Sequence, residues 1–295
     1  MTPALEQRVV AALDAPIAPE VRAIAAALGH EAGARAVLFY GSNLRTGSLD
    51  GVLDFYVLLP GRQVEKIWPR VSYRESPADG VTLRAKIATL SLETFARAAG
   101  GQSRDTTIWA RFVQPAGLAW AADEAARAEV VAAVAGAAVT AARLAAALGP
   151  VQGTAEAYWR ALFRATYRAE FRVEKPGREN DILSVNAGHF AGLLPIAWEA
   201  AGIAFDRDGS DLRPRLGVRE RARIERWWRT RARLGKPFNL LRLVKASTTF
   251  DGAARYAAWK IERHTGVPIA ITPWREKHPV LAAPAVLWRV WRSRR

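Results

Sequence analysis

The chain of 295 residues contains no cysteine, which excludes a disulfide framework and any thiolate metal site. Its four histidines, His30, His189, His264 and His278, lack metal-ligand spacing. Long apolar runs are also missing. The longest, residues 130–142, is rich in alanine and falls short of the roughly 20 apolar residues that a membrane span needs. Residues 1–8 show no basic start followed by an apolar signal core, so the protein is expected to stay in the compartment where it is made. There is no internal repeat and no low-complexity linker. Acidic charge is the scarce sign: 28 Asp and Glu stand against 43 Lys and Arg, a net charge of +15 that calls for an anionic partner. Nucleic acid, acidic lipid and polyphosphate substrates all qualify.

What is present begins with apolar content. Half of the residues are hydrophobic, so the chain folds, as one elaborate domain or two. The spacing predicts helices over 4–13 and 19–28, then strands over 36–40, 52–59 and 81–88, the last alternating around Lys86 and leading into a helix from Ser91. From Ala121 the pattern turns helical. An alanine-rich helix over 123–148 stops at Gly149-Pro150, another covers 154–167, and residues 206–214 read as a loop within an otherwise helical remainder.

Between the first two strands lies the most informative local pattern. The apolar run Leu38-Phe39-Tyr40 ends in Gly41-Ser42, and Asp54 follows in the apolar strand Val52-Leu53-Asp54-Phe55-Tyr56-Val57. An aspartate in such a strand is costly to bury without a cation or hydrogen-bond partners. Gly41 lets the backbone approach a phosphate, and Ser42 offers a hydroxyl and an N–H at the start of a helix. Strand, Gly-Ser, turn and acidic strand is the order found in polymerase-β-type nucleotidyltransferases, where a carboxylate holds a divalent ion. The usual second carboxylate, two residues on, is Tyr56 here. Asp50 is the nearest other acid, although the turn Ser48-Leu49-Asp50-Gly51 accounts for it on conformational grounds alone.

The charge is unevenly spread. Seven arginines lie between Arg219 and Arg233, interrupted by Trp227 and Trp228. In the tail, a helix after Pro284 would put Val286, Leu287, Val290 and Trp291 on one face and Arg289 and Arg292 on another, with Trp288 beside them. That is an interfacial pattern, and a helix docked on the core is the plain alternative.

Several separated segments together resemble the mitochondrial-type phosphatidate cytidylyltransferases, the peripheral-membrane CDP-diacylglycerol synthases that also occur in bacteria. They are Tyr40-Gly41-Ser42 with Leu53-Asp54-Phe55, the strand carrying Lys86, and Ala110-Arg111-Phe112-Val113-Gln114-Pro115. Further on come Tyr167-Arg168-Ala169-Glu170-Phe171-Arg172, the stretch 180–190, and Val244-Lys245-Ala246-Ser247-Thr248-Thr249 with Tyr256 and Lys260. The resemblance covers roughly residues 36–265. It implies an α+β fold: a polymerase-β-type nucleotidyltransferase domain with a small mixed sheet over 1–150, a helical domain over 151–283, and an amphipathic membrane-binding tail over 284–295.

The implied reaction converts CTP and phosphatidate to CDP-diacylglycerol and pyrophosphate with Mg²⁺. The protein would be cytoplasmic, attached peripherally to the anionic inner face of the cell membrane, with no stable nucleic-acid partner. Under this resemblance Tyr40, Gly41, Ser42, Asn43 and Arg45 border the nucleotide, Asp54 with or without Asp50 holds the metal, and Lys86 and Arg111 neutralise phosphates. Glu170 serves the metal or orients Arg172, and Arg172 faces the lipid phosphate. Lys245 and Ser247, with Trp288, Arg289, Trp291 and Arg292, meet the lipid phosphate or the membrane. Trp227, Trp228 and Trp259 are candidates for a lipid-tail groove. The chain departs from the family at Gln114, at Glu170 and at Asn43-Leu44-Arg45, which puts the acceptor in doubt more than the triphosphate. An RNA nucleotidyltransferase, transfer to another phosphorylated lipid, and a non-catalytic anion-binding protein are the other readings.

Overall fold

The computed structural model describes residues 2–78, 81–169 and 178–277, together with 282, 284, 285 and 288. The first two helices, α1 (Pro3–Leu13) and α2 (Pro19–Ala32), each open on a proline whose fixed φ and missing N–H suit a first helical turn. Leu5, Val9 and Leu13 recur at every fourth position and give α1 its buried stripe. Strand β1 (Ala36–Tyr40) runs into the short helix α3 (Ser42–Thr46), and β2 (Leu53–Leu59) returns antiparallel to β1. Then come β3 (Arg70–Ala78) and β4 (Val81–Ser91), and the Ser91 side chain caps α4 (Leu92–Ala99) by accepting from the Thr94 N–H at 3.2 Å. After α5 (Thr107–Phe112), β5 (Ala116–Ala121) completes the sheet.

The strand order is β3-β4-β2-β1-β5. Only β2 and β4 are parallel, so the sheet is mixed. Alternation assigns its faces. Val37, Phe39, Phe55, Val57, Leu83, Ala85 and Ile87 meet Val21, Ala25 and Leu28 of α2, while Leu38, Tyr56, Leu58, Ala88 and Leu90 face a larger helical layer.

The centre of that layer is α6 (Glu124–Leu148), capped at its start by the Asp123 carboxylate. Its many alanines leave room for α1, α4 and α5 to approach on different sides. By length and composition α6 is apolar enough to cross a bilayer, but most of it is buried among its neighbours. The chain continues through β6 (Gly153–Thr154), α7 (Ala155–Ala169), α8 (Arg178–Val185), α9 (Ala187–Phe190) and α10 (Leu193–Ala200). Tyr158, Trp159 and Trp198 are fully buried here, and Trp198 Nε1 donates to the Ala142 carbonyl of α6 at 2.9 Å. One hydrophobic core runs from Leu5 to Trp228, across residue 150, where the resemblance implies a boundary.

Residues 206–214 are not a loop. They contribute the hairpin β7 (Phe205–Asp208) and β8 (Asp211–Pro214), whose turn uses Gly209 at φ +58° and whose second strand, β8, also pairs with β6. The period-two signal is faint because β7 is largely exposed and carries charged residues. The long helix α11 (Val218–Thr249) packs on α6 and α7 and reaches β3. It is followed by α12 (Ala253–Thr265) and the short α13 (Pro273–Lys277). The tryptophans suggested for a lipid-tail groove each have packing partners, and Trp227 also lines a cavity of about 190 Å³ with Thr140 and Arg143. Trp228 is buried, Trp227 packs on Trp109 with ring centroids 6.2 Å apart, and Trp259 lies between the guanidinium groups of Arg84 and Arg263, each 5.3 Å from its ring. Apolar packing and cation–π contact account for all three.

Candidate active site

Strand register builds the site. Tyr40 of β1 pairs with Asp54 of β2, Asp54 with Lys86 of β4, and Lys86 with Tyr73 of β3. Paired residues project on the same face, so these four side chains form one row across the sheet. They share the face covered by the larger helical layer. One pleat further in, Tyr56 is buried against Phe112 and Phe95.

Gly41 follows Tyr40 at φ +95°, and a Cβ there would stand 3.2 Å from Asp54 Oδ2. The missing side chain leaves the backbone open beside the carboxylate. Helix α5 brings Arg111 over the row: Nη1 donates to the Tyr56 hydroxyl at 3.0 Å, and the guanidinium lies 5.1 Å from the Tyr40 ring. Tyr56 thus positions an arginine.

Burial dominates the electrostatics of the row. Burial pushes the Asp54 carboxyl above its ordinary range, opposed by Lys86 and Arg111. Burial lowers Lys86, with Arg111 and Lys260 adding to the effect and Asp54 opposing it. Tyr40 is pushed well up, mainly by burial. A bound polyanion would relieve the crowding of Lys86, Arg111 and Lys260, and a divalent ion would relieve Asp54. Among the described residues no cluster of three His, Asp or Glu side chains is placed to hold a metal. Asp54 is the carboxylate in the row that could hold a metal ion.

Helix α12 closes the row from above. Its Tyr256 packs on Tyr73 with centroids 5.3 Å apart, its hydroxyl is pushed up by burial and, secondarily, by the Asp54 charge, and Lys260 lies 5.8 Å from the Tyr256 ring. The chain before α12 adds to the sheet edge, where the Tyr73 N–H donates to the Asp251 carbonyl at 2.8 Å. Gly252, at φ +78°, allows this, since a Cβ would come within 2.3 Å of the Tyr73 carbonyl oxygen. Gly252→Ala is accordingly expected to cost about 2–3 kcal/mol through strain and overlap. It should also speed hydrogen exchange at the Tyr73 amide, which native-state exchange would read residue by residue.

Tyr40, Gly41, Asp54, Lys86 and Arg111 are thus brought together, and others are not. Ser42 opens α3 with its hydroxyl 3.3 Å from Asn43 Oδ1, and Arg45 is exposed on the same short helix. Asn43 is buried and donates through Nδ2 to the carbonyls of Ser48 and Asp50, at 2.8 and 2.6 Å, so it holds the turn. Asp50 is exposed on that turn, and the charges acting on Asp54 are Lys86 and Arg111. Lys245 donates to the Ile67 carbonyl and lines a neighbouring cavity with Arg111. Trp288 is 58% exposed. Glu170, Arg172, Arg289, Trp291 and Arg292 lie outside the described residues, as does the Ser247 side chain.

Sequence reasoning missed Tyr73 and Arg84 on β3 and β4, and it placed Tyr256 and Lys260 only through the family resemblance. A stripe at helical spacing, Tyr256, Trp259, Lys260 and Arg263, was the available signal. A scan against models of known protein families and a search of curated proteins each return no match for this chain.

Proposed function

We propose that this protein is a nucleotidyltransferase of polymerase-β type that converts CTP and phosphatidate to CDP-diacylglycerol and pyrophosphate at an anionic membrane surface. The observation that carries the reading is the cross-strand row of Asp54 and Lys86, with Arg111 above it and the open backbone of Gly41 beside the carboxylate.

In this reading a phosphatidate oxygen attacks the α-phosphorus of CTP. The new P–O bond forms as the bond to the β-phosphate breaks, and pyrophosphate carries away the charge. Gly41 gives the triphosphate room against the backbone. Lys86 and Lys260 neutralise its oxygens, and Arg111, oriented by Tyr56, offers a fork of donors to the α-phosphate or the acceptor. Asp54 would hold Mg²⁺, which supplies charge neutralisation across the phosphates when bound. No side chain has to remove a proton, because a phosphate monoester is largely ionised near neutral pH. The chain's contribution is alignment of two anions that would otherwise repel.

The test is incubation of purified protein with Mg²⁺, phosphatidate in mixed micelles, and labelled CTP, with ATP, GTP and UTP as parallel donors. Label in the lipid phase from CTP alone is expected. No lipid product with any donor would remove the reading. One observation favours a second reading, a non-catalytic anion-binding protein: among the described residues no other carboxylate accompanies Asp54 in the row. That protein would bind CTP and leave it intact in the same assay.

A further inference from the structure

The second half of α11 is divided lengthwise. Asn239, Arg242 and Lys245 turn inward and line a cavity of about 190 Å³ together with Thr107, Tyr56 and Arg111. Arg242 is fixed there by Asp105 at 2.6 Å, by the Trp68 carbonyl at 2.9 Å, and by the Trp68 ring 5.3 Å away. The outward stripe carries Leu240, Leu241 and Val244, which are 62%, 45% and 59% exposed. They sit at i, i+1 and i+4, on one side of the helix. A second cavity of about 310 Å³ adjoins the first through Ile67 and Arg242, and in it Leu241 lies alongside Lys66 and Arg104.

Three large aliphatic side chains exposed beside a rim that stays cationic after Asp105 pairs with Arg242 are unfavourable for an isolated helix and suited to a lipid interface, where aliphatics enter the acyl layer and cations meet headgroups. The charge complementarity selects the occupant, since Lys66 and Arg104 are exposed beside the stripe, where the phosphates of an anionic leaflet would lie, and Lys245 adds a cation in the cavity behind them. The cavity between them suits a phosphate, and Arg111 borders both that cavity and the Asp54 row.

We infer that α11 is the membrane-docking edge of this protein: Leu240, Leu241 and Val244 insert into an anionic bilayer, and the cavity of Arg111, Arg242 and Lys245 receives the phosphate of one lipid from it. This deepens the proposed function and rests on it for the identity of that lipid as the acceptor. It assigns bilayer contact to α11, apart from the segment 284–295 that composition suggests.

The experiment is flotation of the full chain with phosphatidylcholine vesicles, with and without phosphatidate. Wild type is compared with the triple variant Leu240→Gln, Leu241→Gln, Val244→Gln, whose fold is checked by circular dichroism. Wild type should float with the phosphatidate vesicles, and the variant should bind them at least about 10-fold more weakly. Transfer of label from CTP to a short-chain phosphatidate dissolved as monomers should be the same for both, because the substituted residues lie outside the reacting site. A triple variant that floats like wild type, or a wild type that does not float, overturns the inference. Loss of flotation in the variant with no nucleotide transfer by either protein supports the docking edge and overturns the cytidylyltransferase reading.

Discussion

If the proposed function holds, Asp54→Asn is expected to lower CTP-dependent transfer by at least about 10³-fold while leaving the fold intact, because it removes the one carboxylate in the row, which in that reading would anchor a divalent ion. The change keeps the size of the side chain and its place between Tyr40 and Lys86. Its effect on stability should run the opposite way. Burial raises the Asp54 carboxyl above its ordinary range, so the folded protein holds that proton more tightly than the unfolded chain does. The ionised form therefore costs stability at neutral pH, and the cost disappears as pH falls below the ordinary aspartate range. Relief of this burial cost should favour the variant at pH 7, partly offset by the lost counter-charge of Lys86, and the gain should vanish in acid. Initial rates of lipid labelling and melting curves at both pH values check the two halves. Activity and stability lost together would make Asp54 a structural residue.

Asp105→Ala carries the largest expected loss of stability, about 3–5 kcal/mol. Asp105 is 6% exposed and connects two elements of the candidate site. Its Oδ1 accepts from the Thr107 and Ile108 N–H groups at 2.9 and 3.3 Å and from the Thr107 hydroxyl at 2.7 Å, which fixes the start of α5. Its Oδ2 holds Arg242 of α11 at 2.6 Å. Removing it leaves a partly buried guanidinium without its carboxylate and frees the first turn of the helix that carries Arg111. Since a whole domain is stable by only about 5–15 kcal/mol, the variant should unfold at markedly lower urea concentration. Asp105→Asn should fall between, because an amide oxygen can still accept from Thr107 while Arg242 loses its counter-charge.

Asp105 also shows what local pattern leaves out. In sequence it sits in Gln102-Ser103-Arg104-Asp105-Thr106, which reads as a solvated turn, and its partner is 137 positions away at Arg242. Strands β1, β2 and β4 were legible because their apolar alternation is strong, and α4 and α6 because Ser91 and Asp123 mark their starts. Strand β3 was not: its run Arg70-Val71-Ser72-Tyr73-Arg74-Glu75 lies at a sheet edge, where polar side chains are tolerated and a proline at Pro77 obscures the period. Tyr56 could be read only as an absent carboxylate, since its bond to Arg111 forms across the fold.

The sequence by itself determined the elements and the chemical types: a chain without thiol chemistry, rich in cations, with one aspartate in an apolar strand after a Gly-Ser turn and a lysine in a later strand. Periodicity and charge are local properties, and they survive in one dimension. Only the tertiary structure decided that β2 and β4 are parallel neighbours with Asp54 opposite Lys86, that Arg111 reaches Tyr56, and that α12 joins the edge of β3 through Asp251. It also decided which aromatics are buried and which aliphatics of α11 face outward. Register and docking depend on hydrogen bonds and packing between segments far apart in the chain. Their energy depends on both partners at once, so neither segment alone encodes the outcome.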